Sequence, residues 1–163
     1  MESFNDVMRE FYDGEVGGEA IYSALLSSAR SDDERFKFST LLQLETETKA
    51  WLRAPMVARG LNIEESAAVR EKDAAQMESF KPLAWMQKMQ GMRDFLAGAV
   101  VPRYQGHLNA ARKRGNADEI AICLHMVEHE EAQLEFSRRE LAGASSKESL
   151  EPVVKHLRYP ILR

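Results

Sequence analysis

The stretch "LLQLETETKAWL", residues 41–52, decides how this chain folds. Leu41, Leu42, Leu44, Trp51 and Leu52 recur at helical spacing. Glu45 falls in line with Leu41 and Leu52, and Thr48 follows one turn further along the same stripe. A carboxylate set into an apolar stripe is costly to bury unless it is protonated, paired or bound to a metal. The stretch therefore predicts a helix facing a core, and a core that holds something to compensate the charge.

Working outward, nearly every segment carries the helical period, and none alternates as a strand would. A first helix is predicted from Ser3 to Ala29, with the stripe Phe4, Met8, Phe11, Glu15, Gly18, Tyr22, Leu25 and Ala29. "SDDE" (31–34) reads as a capping box, with Ser31 as N-cap and Glu34 reaching back, and opens a second helix that ends at Gly60. Pro55 is expected to bend or fray its last turn. A polar, partly helical crossover (61–81) leads to a third helix, Pro82 to Arg114, interrupted at Pro102. "NADE" (116–119) caps a fourth, 117–142, and "SSKE" (145–148) opens a short fifth before the tail "HLRYPILR". Short loops within each pair and one long crossover between the second and third helices predict an all-α, up-down four-helix bundle, one domain over 1–163.

Composition narrows the function classes. The chain has 163 residues, 44% hydrophobic and 29% charged, as a globular domain does. A net charge of −4 gives no footprint for nucleic acid, and Arg112-Lys113-Arg114 reads as a solvated helix end. No apolar run is long enough to span a bilayer, and the acidic, amphipathic N-terminus is not a signal peptide. The single cysteine, Cys123, excludes an internal disulfide and fits a reducing compartment, so a cytoplasmic protein is expected. Nothing matches a nucleotide loop, a hydrolase triad or a zinc finger.

Glu15 repeats on the first helix what Glu45 does on the second. On the fourth, the stripe Ile120, Leu124, Val127, Glu131, Leu134, Leu141 contains Glu131 and borders Glu128. Like charges converging in a core require a proton, a cation or a basic partner among them.

"GEVGGEAIY" (14–22), "LLQLETETK" (41–49) and "VEHEEAQLEF" (127–136) together resemble the ferritin-like superfamily of di-iron carboxylate bundles, in the rubrerythrin-like manner. That pattern has one Glu on each of two helices and Glu-x-x-His on the other two. The resemblance implies metal ligands at Glu15, Glu45 and Glu128, with iron or manganese as the metal. Thr48 stands where the second-helix His would be, Glu131 replaces the fourth-helix His, and "LAGAVVPRY" (96–104) offers no Glu. A small rotation of the fourth helix would instead present His129 and Glu128, at the expense of Val127 and Leu134, and would bring in Gln133.

Three readings follow. The first is a ferritin-like bundle with a degenerate, metal-free site that binds a small ligand or a partner. The second is a di-iron or di-manganese oxidoreductase acting through Glu15, Glu45, Glu128, His129 and Glu131. The third is a non-catalytic dimerisation module whose inward glutamates pair with Arg93, Arg138 or Lys49. The lost ligands favour the first. Around this centre Tyr22, Thr48, Arg93 and His125 are second-layer or pocket candidates, with Arg93 as a counter-charge that could stand in for a metal. Gly17-Gly18 costs about 2 kcal/mol of helix propensity, which tight packing would justify. The methionines around Trp85 suggest core filling, or a face for a second copy of the chain in a homodimer. His107 and His156 read as surface residues.

Overall fold

The computed structural model describes residues 3–161, and these are helical with no strand among them. The chain divides into two compact units. One comprises residues up to Leu83 with the segment from Leu157, and the other spans Ala84–His156.

The first unit is built on α1 (Phe4–Ser27) and α2 (Asp32–Ala58), which pack on each other, with α3 (Ala67–Gln76) laid against α1. Phe11, Tyr12, Phe38, Leu41, Leu44 and Leu52 have no exposed surface and form its core. Ser3, the predicted first residue, is the N-cap of α1 through a capping box with Asp6, so the helix proper begins one residue later. Ser31 caps α2 by accepting from the Glu34 N–H at 3.1 Å. Glu34, however, reaches past the cap to accept from the Arg30 N–H at 2.9 Å, which ties the incoming loop rather than the cap residue. Pro55 lies inside α2, which nevertheless continues to Ala58. The crossover is partly helical as expected, as α3 and a 3-10 turn (Met77–Ser79). The tail is held on α2: the Arg158 N–H donates to Glu47 at 2.5 Å, and Gln43 donates to the Tyr159 carbonyl at 2.8 Å. The last two residues of "HLRYPILR" lie outside the described residues. Trp51, counted with the apolar positions of α2, is 42% exposed.

The second unit holds α4 (Trp85–Phe95), α5 (Val101–Arg114), α6 (Ala117–Leu141) and α7 (Ser146–Val154), with α4, α5 and α7 each packed on α6. The interruption expected at Pro102 falls one turn earlier, as a π segment over Leu96–Val100. Pro102 has no N–H for the carbonyl of Gly98, and its ring crowds that carbonyl. A wider turn just before it absorbs the clash without ending the helix. Gly115 at φ 74° closes α5, and Asn116 accepts from the Asp118 and Glu119 N–H groups to open α6. Buried Glu140 ties three helices together. It accepts from Trp85 Nε1 at 2.7 Å on α4 and from the Ser149 hydroxyl on α7.

No described helix is long and apolar enough to cross a membrane.

Candidate metal centre

In the first unit, Glu15 and Glu45 project from the facing stripes of α1 and α2. They are 1% and 3% exposed, and each offers a carboxylate oxygen within 4.8 Å of the other's. The paired glycines of α1 make room for what surrounds them. A Cβ on Gly18 would lie 2.0 Å from Glu45 Oε2 and 2.5 Å from its Cδ, so the Glu45 carboxylate rests on the bare α1 backbone. A Cβ on Gly17 would lie 2.2 Å from an Asp73 oxygen of α3. The mid-helix glycines thus admit two close approaches, from α2 and from the crossover, and that outweighs their poor propensity. Thr48 (4% exposed) and Tyr22 (5%) are also buried.

One turn further along both helices lies a second set of charges. Lys49 Nζ is 2.5 Å from Glu19 Oε2 and 2.5 Å from Glu65 Oε1. Arg70 of α3 reaches both acids, and Arg53 reaches Glu65 at 3.2 Å. Burial pushes the Glu19 carboxyl up, but hydrogen bonds from Lys49, Thr46 and Arg70 outweigh it and leave it below the ordinary value. Hydrogen bonds from Lys49 and Arg70 hold Glu65 down at about 2. The sequence reading offered Lys49 as a partner for the inward glutamates but missed its acids. The available signal was spacing: Glu19 follows Glu15, and Lys49 follows Glu45, by one helical turn each.

In the second unit, α6 is turned from the stripe expected of it. His129 is fully buried and Gln133 is 3% exposed, its amide nitrogen 2.9 Å from His129 Nε2. Glu130 is buried beside them. Glu128 and Glu131, the expected fourth-helix ligands, are instead exposed, and with Glu135, Arg139, Lys155 and His156 they line an open groove of about 540 Å³ against α7. Val127 and Leu134 stay buried too, because packing by α4, α5 and α7 covers a wide arc of α6. Leu124, read as core, is 38% exposed. Arg93, expected as a counter-charge, pairs with its neighbour Asp94 at 2.6 Å. His107 is buried at 7% rather than on the surface, with its ring 6.3 Å from that of Tyr104.

His125 meets His156 edge-on, with ring centroids 6.5 Å apart. Burial, helped by His129 and His156, lowers His125 to about 4, and burial likewise lowers His156. The unfolded chain takes up these protons from its ordinary 6.5 downward while the folded chain resists, so stability falls as pH drops from 6.5 towards 4. Glu65 contributes nothing in the upper part of that window, since its loss begins only below its ordinary 4.5. Urea midpoints measured at closely spaced pH values should therefore decline from pH 6.5 down. His125→Gln should flatten the decline, and an unchanged slope in that variant would refute the assignment.

Compared with protein families, with curated proteins and with solved structures, the chain matches none.

Proposed function

We propose that this chain is a ferritin-like helical-bundle protein that holds one divalent metal ion, with Glu15 and Glu45 as its carboxylate ligands. The observation that carries this reading is the buried Glu15–Glu45 pair, whose oxygens approach within 4.8 Å where Gly18 clears the backbone. Two buried carboxylates this close repel each other, and a cation held between them would offset that repulsion. Two carboxylates, as hard oxygen ligands, suit manganese(II) or iron(II). A metal there would act as a Lewis acid on an oxygen ligand in its open positions.

A metal-free bundle, with the pair sharing a proton, is the second reading. Thr48 in place of a histidine and the exposure of Glu128 and Glu131 favour it over a two-metal oxidase. Such a bundle would serve by binding a small ligand or a second copy of itself.

Calorimetric titration of the never-chelated protein with manganese(II) and iron(II) decides between the two. One equivalent bound per chain, with a raised melting temperature, is expected for the wild type. Gly18→Ala should lose the binding, since its Cβ displaces the Glu45 carboxylate, whereas Gly17→Ala should keep it because half-exposed Asp73 can swing outward. No saturable binding in the wild type would leave the metal-free reading standing.

A further inference from the structure

The Lys49–Glu19–Glu65–Arg70 network of the first unit is charged out of proportion to what it fastens. No residue from Leu61 to Gln76 is buried, so the crossover adds no apolar core of its own. Its backbone is already held elsewhere: Tyr12 donates to the Ile63 carbonyl at 2.8 Å, and Arg9 donates to those of Asn62 and Glu64 at 2.8 and 3.0 Å. The Glu65 side chain is thus spare to the attachment of the loop. Yet three cations converge on it. Lys49 approaches Oε1 at 2.5 Å, Arg53 the same oxygen at 3.2 Å, and Arg70 Nε donates to Oε2 at 3.0 Å.

The charge balance is uneven. Lys49, Arg53 and Arg70 carry three positive charges, of which Glu19 answers one and Glu65 another. The Arg53 side chain is 45% exposed and that of Glu65 28%, so one side of the cluster opens to water. Lys49 and Glu19 form its closed floor, at 7% and 10% side-chain exposure. A doubly charged oxyanion in place of the Glu65 carboxylate would balance the cations in full, and the guanidinium forks suit its oxygens.

We propose that Lys49, Arg53 and Arg70 form an anion-binding cradle for a phosphate group, and that Glu65 is its built-in occupant, displaced when the phosphate binds. The hydrogen bonds that hold Glu65 ionised far into acid show how strongly the cradle favours negative charge. The tether makes Glu65 a competitor at an effective concentration on the order of millimolar. The wild type should therefore bind phosphate weakly, and a chain without that carboxylate should bind it well. Displacement moves only the side chain, since Tyr12 and Arg9 keep the loop in place.

The test is calorimetric titration with inorganic phosphate at a constant ionic strength of about 0.15 M, with acetate as the singly charged comparison. Glu65→Gln should bind one phosphate per chain at least about tenfold more tightly than the wild type, because the tethered competitor is gone. Acetate should bind more weakly than phosphate. Adding Arg53→Gln to that variant should reverse the gain. A folded Glu65→Gln chain that takes up no phosphate saturably, or whose binding survives Arg53→Gln, overturns the proposal. Should Glu65→Gln not fold, melting of the wild type decides. Phosphate must then raise the melting temperature above chloride at equal ionic strength, and equal melting in the two salts overturns the proposal.

Discussion

Glu45→Gln is expected to lower the affinity for manganese(II) or iron(II) by more than about 100-fold, because loss of an outer-shell partner alone costs roughly 10–100-fold. The amide keeps the shape of the side chain and can still lie against Gly18, so packing is preserved while the ligand charge is removed. Without metal the same substitution should leave the melting temperature unchanged or raise it, since it relieves the crowding of two acids whose oxygens lie within 4.8 Å of each other. Opposite signs in the two conditions are the signature of a carboxylate retained for a cation. Thermal melts with and without metal, paired with the titration, supply both readings. A loss of more than about 2 kcal/mol in the metal-free protein would show instead that the chain itself compensates Glu45, and that no metal is needed there.

Lys49→Met should be the most damaging single change to stability, at about 3 kcal/mol or more by urea denaturation. Methionine fills the same volume, so the cost is electrostatic. Glu19, buried and 2.5 Å from the ammonium, loses its nearest cation, and so does Glu65. Arg70 remains on both acids and keeps the loss below that of a wholly stranded charge. Adding Glu19→Gln should recover a good part of it, because a neutral amide needs no counter-ion and can still accept from Thr46, as Glu19 does at 2.7 Å. A single-variant loss under about 1 kcal/mol would place these pairs with ordinary surface ion pairs. It would also contradict the burial seen for Lys49.

Helix ends were the most legible part of the sequence, since they depend on local chemistry. Ser31, Gly60, Gly115 and Gly143 sit where caps and left-handed turns require them. The first-unit carboxylates were legible for a related reason: Glu15 and Glu45 interrupt strongly apolar stripes, and an interruption stands out. The face of α6 misled because the Leu and Val positions and the His129–Gln133 side were read as alternatives, whereas both are buried. His129, Gln133, Ser137 and Glu140 occupy much of that face, and their burial depends on hydrogen bonds that periodicity does not reveal. The ion network around Glu65 was out of reach for a different reason. Arg70 meets Glu19 across 51 residues, and neither position carries a local mark of the other.

The chain contains two tryptophans, and one falls in each unit. Trp51 stands 42% exposed on α2, so it should emit at long wavelength in the native state and shift little on unfolding. Trp85 donates its indole N–H to a buried carboxylate, an arrangement that makes its emission sensitive to whether α4 still rests on α6. Trp51→Phe would therefore turn intrinsic fluorescence into a private reporter of the second unit, whereas Trp85→Phe would leave a signal that changes little as the first unit unfolds. The second unit can thus be followed on its own without any added dye.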